Sequence, residues 1–235
     1  MRSILARAAA VAITLCLIAC PALAAGKLVV EQENFHVTVS YSLYGYAFAR
    51  VENTGNKPAE FSAGLLEIYD AEGDTLTSTD SVYCYPRYLE PGETGYVYAY
   101  DSIDTTEALE DVDDYLLTVT GKSTESKVVL YPVTAYYQTN VQVTKYSSYN
   151  YVVAEVTNNT DETVFGLEMV VVLLDDSDNI LYMGRNSYYS STGINAGSTI
   201  TYRESISNDW FDAWTREGLT PTHAVAIAYK EVQDW

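Results

Sequence analysis

The chain repeats itself, and the repeat limits what it can fold into. Shifted by 105 residues without a gap, Tyr41 falls on Tyr146, Tyr44 on Tyr149, Tyr46 on Tyr151, Ala49 on Ala154 and Asn53 on Asn158. Asp70 then falls on Asp175, Tyr83 on Tyr188, Gly92 on Gly197 and Thr94 on Thr199. Turn residues land on turn residues and apolar runs on apolar runs. The run Leu66-Glu67-Ile68-Tyr69-Asp70 meets Val171-Val172-Leu173-Leu174-Asp175. So long a period, with several strands inside each unit, predicts two tandem domains rather than a short-repeat solenoid. A unit of about 100 residues is the usual size of a β-sandwich.

Each unit reads as strands. Tyr44 to Asn53 and Tyr149 to Asn158 are rich in aromatic and β-branched residues. Asn53-Thr54-Gly55-Asn56-Lys57-Pro58 and Asn158-Asn159-Thr160-Asp161 carry turn chemistry. Asp70 to Asp74 closes a hairpin. Glu90-Pro91-Gly92-Glu93 places proline and glycine where a type II turn needs a fixed φ and then a positive one. In Asn195-Ala196-Gly197-Ser198 the glycine is kept and the proline is lost.

This pattern resembles the FxLYD domain family. Leu66, Ile68, Tyr69 and Asp70 stand as its apolar strand ending in Tyr-Asp, after the Asn53 turn and before Leu89, Pro91 and Gly92. The second unit departs from it, with Val171, Leu173 and Leu174 at the aromatic positions and only Asp175 retained. The resemblance implies immunoglobulin-like sandwiches in secreted or envelope proteins of bacteria. It carries over no catalytic residue.

Met1 to Ala24 has the layout of a secretory signal. Arg2 and Arg7 precede an apolar core, Ala8 to Ala19, too short to span a bilayer. Ala22-Leu23-Ala24 is a small-x-small site that predicts cleavage before Ala25. Leu17-Ile18-Ala19-Cys20 also resembles a lipobox, which would leave Cys20 as a lipidated terminus. The expected address is therefore extracellular, or the cell envelope if Cys20 is lipidated. No later segment is apolar enough to span a membrane. The expected layout is a signal over 1–24, a first domain over 25–132 and a second, degenerate domain over 133–235.

Cys16 and Cys20 lie in the signal, so Cys84 has no partner left for an internal disulfide. It reads as a small strand residue rather than a reactive thiol. The chain carries a formal charge of −19, and −21 without Arg2 and Arg7. That argues against nucleic acid, whose phosphates need clustered Lys and Arg, and against anionic lipid. Acids crowd from Asp101 to Asp114, where Asp104 or Thr105 is expected to cap a helical turn. The matching stretch, Ser207 to Trp214, places Trp210 and Trp214 on one helical face. Each domain is thus expected to insert a short helix between late strands, within an all-β fold.

Catalytic and metal-binding patterns are missing from the sequence. His36 and His223 are isolated, and there is no Gly-rich phosphate loop or Cys cluster. Asp175-Asp176-Ser177-Asp178-Asn179 alternates oxygen side chains as calcium loops do, but without the glycine and distal Glu it reads as a hairpin turn. No cofactor is expected, and no enzyme. The leading reading is a secreted or envelope-attached interaction module with an unknown protein or glycan partner. The alternative is a carbohydrate-binding protein using exposed Tyr and Trp faces. Oligomeric state is open. One strand adds a constraint. Met169 to Leu174 is apolar on both faces, and leaving Val170, Val172 and Leu174 wet forgoes roughly 1.5–3 kcal/mol each. A cover is therefore expected: first the Trp210/Trp214 turn, then the first domain, then a second copy.

Overall fold

Residues 25–104 and 108–232 are described by the computed structural model. The expected signal, with Cys20 and Ala24, lies outside them, and so does the expected cap at Thr105. The N-terminal half contains β1 (Leu28–Val39), β2 (Leu43–Asn53), β3 (Ala59–Tyr69), β4 (Thr75–Thr79), β5 (Val82–Tyr85), β6 (Tyr88–Leu89), β7 (Thr94–Ile103) and β8 (Asp114–Ser123). They form two antiparallel sheets, β1-β2-β7-β5 and β4-β3-β6, with β8 also paired to β3. The C-terminal half contains β9 (Lys127–Tyr131), β10 (Val133–Thr144), β11 (Ser147–Thr157), β12 (Leu167–Leu174), β13 (Ile180–Tyr188), β14 (Thr199–Ile206), α1 (Asn208–Glu217) and β15 (His223–Val232). Its sheets are β10-β11-β14 and β13-β12-β15-β9. The fold is all-β and sandwich-like. Strand β9 precedes residue 133 yet pairs with β15, so its backbone belongs to the C-terminal half.

Alternation decides what each strand buries. In β2, Leu43, Ala47, Ala49 and Val51 enter the N-terminal core beside Leu66, Ile68, Val97 and Leu117. Tyr44, Tyr46, Phe48 and Arg50 take the opposite face. Strand β12 does not alternate: every residue but Glu168 is buried. Met169 packs with Val156, Leu167 and Ala228 inside the C-terminal sandwich.

The 105-residue period recurs as hydrogen bonds. Buried Asn53 donates to the carbonyls of Lys57 and Leu89, both at 2.8 Å, and accepts the Gly55 N–H. Asn158 donates to Glu162 at 2.7 Å and Ile194 at 2.8 Å, and accepts the Thr160 N–H. Every partner is displaced by 105. Asp70 Oδ1 accepts the N–H groups of Glu72 and Asp74, and Asp175 Oδ1 those of Ser177 and Asn179. Gly92 (φ +79°) and Gly197 (φ +72°) donate to the carbonyls of Asn53 and Asn158 from the positive φ that favours glycine. The buried asparagines persist because each satisfies turn groups that would otherwise be orphaned.

Helical structure differs between the halves. Between β14 and β15, α1 buries Trp210, Ala213 and Trp214, and Gly218 ends it at φ +72°. Between β7 and β8 only a 3-10 turn, Leu109–Asp111, is seen among the described residues.

The two halves dock through unlike faces. Phe48, fully buried, joins one apolar cluster with Val170, Val172, Leu174, Trp210 and Trp214. Tyr46, Tyr85, Tyr96 and Tyr98 pack against the same cluster. Arg185, cross-strand from Val170, lies 5.0 Å over the Tyr85 ring, so the outer face of β12 looks toward the N-terminal half. The expected cover is present, and the N-terminal half supplies it together with α1. Trp210 bridges the two, 4.7 Å from Tyr46 and 5.3 Å from Tyr182.

Polar bonds fix the register of this docking. Gln32 donates to the Asp178 carbonyl at 2.9 Å, and the Ile180 N–H donates to Asn34 Oδ1 at 2.8 Å. Buried His36 places Nε2 2.8 Å from the Ile180 carbonyl and Nδ1 2.6 Å from Glu217 Oε2. Arg216 donates to the Val37 carbonyl. His36 is therefore structural. His223 is partly exposed and lies 3.0 Å from Asp178.

Candidate functional site

A cleft of about 660 Å³ opens where the halves meet, within the usual range of ligand sites. The N-terminal half brings Tyr83 and Tyr85 of β5 and Arg87, with Ser62 of β3. The C-terminal half brings Glu168 of β12, Arg185 of β13, Tyr189, and Tyr229, Lys230 and Glu231 of β15. Neither half forms the cleft alone.

Strand geometry sets these side chains. In β5, Val82 and Cys84 enter the N-terminal core, which turns Tyr83 and Tyr85 toward the C-terminal half. Their rings stack 6.3 Å apart at 11°. Tyr85 is half-buried beneath Arg185, whereas Tyr83 keeps 47% of its surface exposed.

Glu168 organises the opposite wall. Its carboxylate accepts Arg185 Nε at 3.3 Å, Ser187 Oγ at 2.6 Å and Tyr189 Oη at 3.0 Å. Three donors occupy one largely buried carboxylate, so its role is to hold Arg185 and Tyr189 in place. Tyr189 remains 77% exposed beside Gly166, where a Cβ would meet its ring at 3.7 Å. Arg87 pairs with Glu60 at 2.7 Å. Burial raises the carboxyl of Glu231 above its usual range, against the nearby Arg87 guanidinium. Burial likewise raises the phenols of Tyr85 and Tyr229.

The cleft also contains a cysteine. Cys84 lies at the floor, but it is fully buried and its Sγ donates to the Pro86 carbonyl at 3.3 Å. Burial pushes its thiol up to about 12, which removes the thiolate a nucleophile needs. Cys84 is thus a small buried strand residue of the N-terminal core. Among the described residues no group of three His, Cys, Asp or Glu is placed to hold a metal. No described helix is long and apolar enough to cross a membrane.

The residues singled out by the repeat lie elsewhere. Leu66 and Ile68 are fully buried in the N-terminal core, and Tyr69 is half-buried at the end of β3. Asn53, Asp70, Gly92, Asn158, Asp175 and Gly197 all stand at turns. Asp175 spends both carboxylate oxygens within its hairpin, on Ser177 and Asn179. Trp210 and Trp214 are buried, so neither offers an exposed face. The sequence pointed to exposed Tyr faces but not to Arg87, Glu168, Arg185 or Glu231. The one available signal was Glu168, the only charged residue in β12.

No protein-family model matches the chain, and no curated protein matches it.

Proposed function

We propose that the chain is an exported, non-catalytic interaction module of two tandem immunoglobulin-like sandwiches of the FxLYD kind. Its domains, each with a helical segment between late strands, meet between β8 and β9, a few residues before the 132/133 boundary expected from the sequence. The module is secreted, or tethered to the envelope through Cys20. The repeated Asn and Asp turn networks support the tandem reading. The acidic surface suits an extracellular protein without nucleic-acid or anionic-lipid partners. One observation carries the binding role: the cleft needs both halves and holds a fixed polar network beside two exposed tyrosines.

The test uses the purified two-half protein on immobilised glycans and immobilised peptides, beside a Ser62→Trp variant that fills the cleft from an exposed strand position. The native protein is expected to bind one class, and the filled variant to lose it. Binding that survives filling, or no binding to either class, overturns the proposal. For export, an N-terminus at Ala25 or a lipid mass on Cys20 is expected, and an intact Met1 refutes both routes.

A further inference from the structure

Resting on that reading, we infer that the inter-half cleft takes a neutral oligosaccharide, held between the exposed rings of Tyr83 and Tyr189 and the paired charges at its base. The argument starts from charge. The chain is strongly acidic, but the cleft is close to balance: Arg87, Arg185 and Lys230 line it against Glu168 and Glu231, with Glu60 paired to Arg87 beyond the lining. Arg185 is already paired with Glu168, at 3.2 Å, and Arg87 with Glu60. Lys230 and Glu231 add one charge of each sign. An anionic ligand would have to break these pairs, and a cationic one would meet two guanidinium groups. A neutral polyol need do neither. Donors and acceptors set side by side match vicinal hydroxyls, which present both at once.

The rings supply the second half of the match. Each pyranose has a face of C–H groups that packs on an aromatic plane. Tyr83 comes from β5 of the N-terminal half, and Tyr189 from the C-terminal half, one residue beyond the end of β13. Tyr189 is oriented by its bond to Glu168, and Tyr83 by stacking on Tyr85. Both are therefore set in place before a ligand arrives, which lowers the entropic cost of binding. A peptide side chain would instead seek an apolar socket. The apolar residues lining the cleft, Phe61, Val82 and Cys84, are buried in the N-terminal core and offer none.

Titration calorimetry with neutral hexasaccharides of glucose, xylose and N-acetylglucosamine is the test, with a hexamer of galacturonic acid and an extended hexapeptide as comparators. At least one neutral hexasaccharide is expected to bind. Tyr189→Ala is expected to weaken it by roughly tenfold, about the worth of one aromatic stacking contact. Tyr189→Phe keeps the ring and is expected to stay within about threefold of the parent. Because Tyr189 is largely exposed, an unchanged melting temperature will separate lost contact from lost fold. Equal losses in Tyr189→Ala and Tyr189→Phe overturn the stacking role. Binding of the peptide alone, or of the acidic hexamer alone, overturns the neutral-saccharide assignment and leaves the module standing. If no probe binds and Ser62→Trp changes nothing, both fall.

Discussion

Strands β3 and β12 occupy equivalent places in the repeat and meet opposite fates. At the 105-residue shift, Leu65, Glu67 and Tyr69 stand opposite Val170, Val172 and Leu174. The first three are only half-buried, on a face shared with Thr118 and the exposed Leu116. The second three are 1%, 0% and 6% exposed, under the N-terminal half and α1. The backbone pattern is the same. What differs is whether the outer face meets water or another sheet, and three side chains record the choice.

Exchanging those side chains is the strongest way to break the comparison. Val172→Glu installs in β12 the residue β3 carries, but in a place without water or a partner. It is expected to cost on the order of 5 kcal/mol, the range of an unpaired buried charge. Glu67→Val, the reverse change on the wetter strand, is expected to stay within about 1 kcal/mol. Urea unfolding of both variants decides the matter, and a Val172→Glu protein as stable as its parent removes the docking account.

Truncating the other side of the contact comes next. Phe48→Ala is expected to lose about 3–5 kcal/mol in the same measurement, the usual cost of emptying a buried phenylalanine site. A loss under 1 kcal/mol would mean that the sheets do not depend on this anchor.

The turns sharpen the comparison from the side of likeness. Gly92→Val and Gly197→Val each force a β-branched residue into positive φ, at about 1–3 kcal/mol. Both glycines leave open space at Cβ, so strain rather than collision is the expected cause. Similar losses at the two sites are expected. A large disparity would show that the two turns no longer do the same work.

The smallest effect concerns acid. Burial acts to raise the Asp175 carboxyl, but hydrogen bonds from Asn179 and Ser177 and the nearby His223 outweigh it and hold the group below its usual value. A carboxyl depressed in the folded state adds stability above its unfolded pKa of about 4 and loses it as pH falls through the folded value. Asp175→Asn is expected to cost about 1 kcal/mol at neutral pH and progressively less below pH 4. An unchanged difference across that range would refute the assignment.

Local chemistry explains what the sequence disclosed. Asn53, Asp70 and Gly92 signal turns because each acts on backbone within a few residues or at an adjoining strand end. The apolar run of β12 disclosed that a cover exists. It did not disclose which element provides it, because Phe48 and Val172 are related by no period. The two tryptophans were the nearer candidate, and they share the task with an N-terminal sheet. The cleft was less legible still. Its residues come from separate strands and turns, and no spacing or period of the sequence joins Arg87 to Glu168, 81 positions away.

The contact between the halves is heterologous: one unit offers its aromatic face and the next its apolar one. A contact of that kind does not close on itself, and in a tandem array it would continue from unit to unit. The outer faces of the two described halves differ from the joined ones. Glu67 stands where an incoming aromatic sheet would need Val172. On the far side, exposed Thr201 and Arg203 stand where the tyrosines 96 and 98 would be needed. Among the described residues the joint occurs once, with Glu67 on one outer face and Thr201 and Arg203 on the other.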